Sequence, residues 1–185
     1  MRPDGIEARY HPYYCEENIW HLCGEPALAA QQREAVIITN STRSVLLFGQ
    51  RAAGAGGYVV WDYHVVMLAR DGTSPWQVWD LDCTAGHPLA AAEWLRTSFP
   101  LGPRLPPVYA PRFRRMPADR YRAMLHTDRR HMRAPDGAFL HPPPPWPAIG
   151  TGSNLVQLLD FSDPTFGPFA DIAHLARALD TGSPA

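Results

Sequence analysis

The sequence predicts a single α+β domain in which an antiparallel sheet is covered by an N-terminal helix. Three observations predict it. Four successive strand-like segments, 34–40, 44–50 and two runs within 58–82, are joined mostly by short turns. A helical stretch, 13–23, precedes them and stops at Gly24. The chain has 185 residues, close to one domain at about 150 residues each, and can bury roughly 70% of its unfolded surface.

Residues 1–12 form an irregular arm. In YYCEENIWHLC (13–23), Ile19, Leu22 and Cys23 recur at i, i+3 and i+4, with Trp20 alongside and Gly24 as a C′ residue. Glu16 and Glu17 fall early, where the helix dipole favours negative charge, so Cys15 lies at or just before the helix N-terminus. Segments 34–40 and 44–50 meet across Asn40-Ser41-Thr42, and a Gly/Ala loop, 52–57, leads into the hairpin 58–82. Residues 89–99 read as a helix. Most prolines then fall between Pro100 and Pro147, yet 108–114 still reads as a strand and 119–132 as a helix. Segments 100–118 and 134–153 are therefore expected to be Pro-rich surface wraps of one domain spanning 1–185. The polyproline run 142–145 is expected to pack on the domain's own aromatics in preference to recruiting a proline-binding partner. A last helix, 171–179, carries Ile172, Leu175 and Leu179 on one stripe, with Asp171 as N-cap.

The chemistry concentrates in the hairpin, YVVWDYHVVMLARDGTSPWQVWDLD. Asp71-Gly72-Thr73 with Ser74-Pro75 behind is turn chemistry. Alternation puts Asp62, His64, Val66 and Leu68 on one face of the first strand, and Trp76, Val78, Asp80 and Asp82 on one face of the second. A three-residue loop, 71–73, sets His64 opposite Asp80, with Cβ atoms about 4.5–5.5 Å apart. A five-residue loop, 71–75, sets it opposite Asp82, and a loop of even length separates the imidazole from both acids. Trp61 and Trp79 point off the His64 face in this register and read as core. An isolated strand histidine is commonly a satisfied core residue; a carboxylate on the same face makes His64 a candidate catalytic base. Cys15 is the candidate nucleophile, because a helix N-terminus lowers a thiol pKa, although Glu16 and Glu17 oppose this and a positive partner such as His64 is required.

Other patterns are weaker. Seventeen basic residues against eighteen acidic ones give no polyanion- or membrane-binding signal. Three cysteines form no even disulfide framework, which points to free thiols in a reducing compartment. The N-terminus lacks a signal-peptide core and no 18 apolar residues run together, so a cytoplasmic protein is expected. His11, Cys15, His21 and Cys23 do not have paired zinc-ligand spacing. The arginines of 112–133 lack a nucleic-acid module signature and read as a solvated face. Cys23 and Cys83 read as packing residues.

Taken together, Tyr14-Cys15-Glu16-Glu17-Asn18-Ile19-Trp20 followed by Leu22-Cys23 resembles the nucleophile segment of the protein N-terminal glutamine amidohydrolases. Val60-Trp61-Asp62-Tyr63-His64-Val65-Val66 resembles that family's histidine strand, and Asp80-Leu81-Asp82 its aspartate strand. Asp128-Arg129, His131-Met132, the run 142–145 and Asn154-Leu155 match in order, so the resemblance spans about 13–179. It departs in a short 23–34 connection, the Gly/Ala-rich 52–57 loop and the Arg-rich 112–122 stretch. The resemblance implies a papain-like or transglutaminase-like α+β domain, a Cys15–His64–Asp80 triad, and conversion of N-terminal glutamine to glutamate and ammonia. It selects Asp80 over Asp82, as the three-residue loop does. No cofactor or metal is expected, nor any nucleic-acid or membrane partner, and a monomer suffices. Reading a protonated α-amino group calls for a carboxylate, and Glu17, Asp62 and Asp82 are the candidates. The alternatives are a deamidase or transglutaminase-like enzyme acting on internal glutamine, and a non-catalytic binder of protein N-termini.

Overall fold

The computed structural model describes residues 6–180, so residues 1–5 of the predicted arm lie outside it. Chain order is α1 (Cys15–Cys23), β1 (Gln32–Thr39), β2 (Val45–Phe48), β3 (Tyr58–Trp61), β4 (His64–Arg70), β5 (Gln77–Trp79), β6 (Leu89–Ala90), α2 (Ala91–Ser98), β7 (Arg112–Pro117), α3 (Ala118–Met124), α4 (Leu155–Leu158) and α5 (Ile172–Asp180). It is an α+β domain. The main sheet is antiparallel, in the order β6-β5-β4-β1-β7.

β4 is buried along its whole length, which explains its near-continuous apolar sequence. Its odd-numbered residues Val65 and Met67 pack in one core with Ile19 and Leu22 of α1 and Tyr121 of α3. Its even-numbered residues Val66 and Leu68 pack in a second core with Trp94 of α2 and Leu175 and Leu179 of α5. The sheet is thus a middle layer between two helical layers.

Several expectations needed correction. The first hairpin strand is two strands: Tyr58–Trp61 pairs with β2 in a separate two-stranded sheet, and the chain breaks at Asp62-Tyr63 before His64–Arg70 joins the main sheet. β1 consequently pairs with β4 and β7 instead of its sequence neighbour β2. The predicted strand at 108–114 is shifted to Arg112–Pro117, after a 3-10 turn at Pro107–Tyr109. The helix expected over 119–132 ends at Met124, and Arg130–Met132 is a separate 3-10 turn.

Local signals at element ends fared better. Asp171 Oδ1 accepts the His174 backbone N–H at 2.8 Å, the capping bond expected at the start of α5. Gly24 does end α1, but with φ −98°, so backbone freedom is not its reason. A Cβ there would run into the Arg122 guanidinium, which crosses the helix end and lies over the Trp20 ring. The arginines expected on a solvated face include three internal ties. Arg114 is fully buried and donates to the backbone carbonyls of Leu158 and Asp160; Arg115 binds Glu34, and Arg129 binds Glu17.

Candidate active site

A cavity of about 230 Å³ opens at the first residue of β4, where the chain leaves one sheet for the other. Cys15, Asp62, Tyr63, His64, Asp82 and His131 line it, and Tyr13, Trp61, Leu140 and His141 form its apolar and aromatic wall. α1 packs on the odd face of β4, and His64 follows Val66 and Leu68 onto the other face. The end of the strand is where a side chain from each layer borders the same space. A larger cavity of about 640 Å³, between Trp76, Leu95 and Leu179, offers neither thiol nor imidazole.

His64 Nε2 and Asp80 Oδ1 are 2.9 Å apart, both residues buried. The ladder pairs Met67 with Trp79, Leu68 with Val78 and Ala69 with Gln77, the register of the five-residue loop. Continued, that register would place Asp82 opposite His64. The strand instead ends at Trp79, and Asp80 reaches the imidazole diagonally from the following turn. The three-residue loop was therefore the incorrect register, although it named the residue that makes the contact.

Asp80 is fully occupied. Oδ1 also accepts the Asp82 backbone N–H at 3.1 Å, and Oδ2 accepts Gln50 Nε2 at 2.9 Å and Trp94 Nε1 at 3.0 Å. Burial opposes ionisation, yet the His64 charge and the bonds from His64, Trp94 and Gln50 hold the carboxyl below its ordinary pKa. Burial likewise works against an imidazolium at His64, and the Asp80 charge and hydrogen bond, aided by Asp82, outweigh it; the His64 pKa stands above its ordinary value.

Cys15 is the first residue of α1, and burial pushes its thiol pKa well up, with the charges of Glu16, Asp82 and Asp62 adding to this. A hydrogen bond from the Val65 backbone works in the other direction. The helix-terminus argument, which lowers a thiol pKa, is overridden here by desolvation.

Of the three carboxylates considered for an α-amino group, Asp62 and Asp82 border the cavity and Glu17 does not. Glu17 is wholly buried: Arg129 Nε and Nη2 donate to its two oxygens at 2.7 Å each, and Trp146 Nε1 donates at 2.7 Å. Asp62 is exposed and caps the Tyr63 backbone N–H at 3.0 Å. Asp82 is buried, and Tyr10 OH donates to its Oδ1 at 2.7 Å. Burial lifts its pKa above the ordinary carboxylate value, the nearby Asp80 charge adds to this, and His64, Tyr10 and Arg51 pull the other way.

Sequence reasoning passed over several neighbours. Trp61, read as core, packs against the second core and also lines the cavity, its ring centroid 6.1 Å from that of His64 and nearly parallel to it. Tyr13 holds a left-handed backbone, φ 69°, an unfavourable conformation for a bulky residue, and its ring stacks on His141 at 3.6 Å. Glu16 is wholly buried beside the thiol, accepting Tyr63 OH at 2.9 Å and facing His131 Nε2 at 3.3 Å. Only the quoted His131-Met132 block hinted at that histidine. Among the described residues, His64, Asp80 and Asp82 are the one group with possible metal-ligand atoms within 4.8 Å of one another. With Asp80 already receiving four hydrogen bonds, a cation there would have to displace the His64 proton.

An α+β domain that brings a buried thiol and a His–Asp pair to one cavity has the layout of the thiol hydrolases. Comparison with known proteins narrows that class. The model of the N-terminal glutamine amidase family matches residues 10–178. Proteins named protein N-terminal glutamine amidohydrolase from Drosophila ananassae and Drosophila melanogaster are each 37% identical over 165 residues, covering 86% of this chain and 80% of theirs. The Drosophila pseudoobscura pseudoobscura protein of the same name is 36% identical with the same coverage. The chain belongs to the N-terminal glutamine amidase family.

Proposed function

We propose that this protein hydrolyses the side-chain amide of an N-terminal glutamine in proteins or peptides, giving N-terminal glutamate and ammonia. The single observation that carries this reading is the shared cavity of Cys15, His64 and Asp82, in a chain of this family.

Asp80 accepts from His64 Nε2, so Nδ1 is the ring nitrogen left to act as base. Burial keeps the Cys15 thiol protonated at rest, so neutral His64 takes its proton as Sγ attacks the glutamine Cδ. The imidazolium then protonates the amide nitrogen, the C–N bond breaks, and ammonia departs from a γ-glutamyl thioester. Water adds to the thioester carbonyl, giving one proton to His64. The C–S bond breaks, and that proton returns to the sulfur. The backbone N–H of Cys15 is the first donor for the oxyanion: among the described residues no side chain caps α1, so its first-turn N–H groups are not taken by such a cap.

Asp82 reads the α-ammonium. It borders the cavity, is buried, and has Tyr10 as its one side-chain donor among the described residues, so a charged ligand relieves its desolvation. Asp62 is the outer alternative; Glu17, paired with Arg129 and away from the cavity lining, has the least support. The protein acts as a cytoplasmic monomer without a cofactor; three free cysteines support a reducing setting. No helix among the described residues is long and apolar enough to cross a membrane.

A Gln-initiated peptide incubated with the protein should release ammonia and gain the mass of an amide-to-acid conversion. Cys15→Ala and His64→Ala should each lower turnover by at least about 10³-fold. Equal conversion of internal glutamine would favour the deamidase or transglutaminase-like alternative. Binding of the peptide without conversion would favour the silent binder.

A further inference from the structure

A second imidazole–carboxylate couple borders the thiol, and the reaction steps above give it no task. Glu16 is wholly buried, a setting in which a carboxylate needs donors. Three converge on it. The Cys15 thiol donates to Oε2 at 3.9 Å, within reach for sulfur, and the Tyr63 hydroxyl donates to the same oxygen at 2.9 Å. His131 Nε2 stands 3.3 Å from Oε1 and 3.2 Å from the Tyr63 hydroxyl. Cys15, Tyr63 and His131 all line the cavity of about 230 Å³. The first turn of α1 is held from the same side of the chain twice over: Arg129 takes both oxygens of Glu17 at 2.7 Å, and His131 faces Glu16. The Tyr121 hydroxyl of α3 adds a bond to the Glu16 carbonyl at 3.1 Å. Burial works against a charge on His131, and the Glu16 hydrogen bond and charge, aided by Asp62 and Glu17, outweigh it.

We propose that Glu16 is a positioning residue for the nucleophile: it holds the proton on the Cys15 sulfur in the resting protein, and His131 and Tyr63 hold Glu16 for that task. The inference rests on the amidohydrolase reading, in which Cys15 attacks. A carboxylate that accepts from S–H favours the thiol, and its charge beside the sulfur disfavours the thiolate. Asp62, before β4, and Asp82, after β5, act in the same sense, whereas a protonated His64 on β4 acts against them. Tyr121 of α3 stays neutral, its pKa pushed well up by burial. In the attack the S–H bond breaks as the bond from sulfur to Cδ forms, and the proton passes to His64. Glu16 takes up no proton and keeps Tyr63 and His131 as partners. A thiolate therefore exists only in the reacting complex, where a sulfur of high pKa is the stronger nucleophile. At rest the thiol is spared alkylation and oxidation, which follow thiolate character.

The test is the rate of alkylation by iodoacetamide across pH, read at Cys15 by peptide mass spectrometry so that Cys23 and Cys83 do not contribute. In the wild type the midpoint should lie above the ordinary thiol value of 9.0. Glu16→Gln keeps the size, removes the charge and can turn an N–H toward the sulfur. Its midpoint should fall by about one pH unit, and its rate at pH 7 should rise about tenfold. Glu16→Met, which asks for no buried hydrogen bond, should also lower the midpoint and serves if the amide disturbs folding. Glu16→Asp retains the carboxylate and should stay within about threefold of the wild type. A wild-type midpoint at or below 9.0, Gln and Met variants no faster than wild type, or an Asp variant accelerated as much as Gln would overturn the assignment; the last would mean a loosened helix end. Wild-type turnover of a Gln-initiated peptide is measured beside it. Its absence would overturn the amidohydrolase reading, while the alkylation rates would still report whether Glu16 holds the thiol proton.

Discussion

The floor and the rim of this cavity treat the same side chain in opposite ways. On the floor, behind the cavity-lining His64, Asp80 is buried and receives four hydrogen bonds, from His64, the Asp82 backbone, Gln50 and Trp94. On the rim, two residues later, Asp82 is also buried, yet among the described residues a single side-chain donor, Tyr10, reaches it. The outcome is a carboxyl pKa pulled down at Asp80 and pushed up at Asp82. A buried charge whose lone pairs are matched orients its neighbours; one left short of donors gains when a cation arrives. In the proposed reading the floor is finished before substrate binds, and the rim is completed by it.

The largest effect expected from breaking this contrast lies on the floor. Asp80→Asn keeps the shape but replaces an acceptor-only group with one that can donate to His64 Nε2, favouring the imidazole tautomer with its proton on the wrong nitrogen. Turnover of a Gln-initiated peptide should fall by about 10³–10⁴-fold, as expected when the acid of such a triad is neutralised. The acid limb of the pH–rate profile sharpens the test. Asp80 helps hold the His64 pKa above its ordinary 6.5, and neutral His64 is the proposed base, so wild-type activity should rise through a pKa above 6.5. In Asp80→Asn the limb should move to lower pH; an unmoved limb would assign that ionisation to another group.

A smaller effect is expected one layer out, at Trp94→Phe. This removes one of the two donors to Asp80 Oδ2, a hydrogen bond to a charged group worth about 1.5–3 kcal/mol. Activity should drop about tenfold, less than for Asp80→Asn, because Gln50 and His64 still hold the carboxylate. A loss as large as that of Asp80→Asn would mean that the indole fixes the position of the acid as well as its charge.

How much of this contrast the sequence shows follows from how local each contact is. The placement of Cys15 at a helix start and of His64 on a strand face shared with two acids is written in short periodicities. The identity of the helix-end cap at Asp171 is equally local. The break at Asp62-Tyr63 is not, because an unbroken run of strand-forming residues hides a change of sheet; beside it Trp61 packs against the second core and also lines the cavity. The register was misjudged because the turn chemistry at Asp71-Gly72-Thr73 fits a three-residue loop, whereas the ladder closes only at Gln77, Val78 and Trp79. Tyr10 to Asp82, Gln50 to Asp80 and Arg129 to Glu17 join residues 72, 30 and 112 positions apart, and nothing near any of them announces its partner. Glu17 illustrates the cost of reading locally: its place in the first turn suggests the helix dipole, and only the distant arginine shows it to be committed elsewhere.

The smallest expected effect is on stability, and it comes from the rim. The folded state raises the Asp82 pKa above 3.8, so between that value and the raised one the folded chain binds more protons than the unfolded chain. Stability therefore falls as pH rises through this interval, and at neutral pH the folded state carries the full penalty of an ionised, under-bonded carboxylate. Asp82→Asn removes the charge and keeps an oxygen for the Tyr10 hydroxyl. The variant should be more stable than the wild type by about 1 kcal/mol at pH 7, the scale of stabilisation found when a functional strain is relieved. The gain should vanish as pH falls below 3.8, where the wild-type carboxyl is neutral in both states. Urea unfolding of both proteins at pH 7 and near pH 3 measures the difference directly. If Asp82→Asn is destabilised at neutral pH instead, the carboxylate is a structural member of the floor, and the α-ammonium must be read by the exposed Asp62.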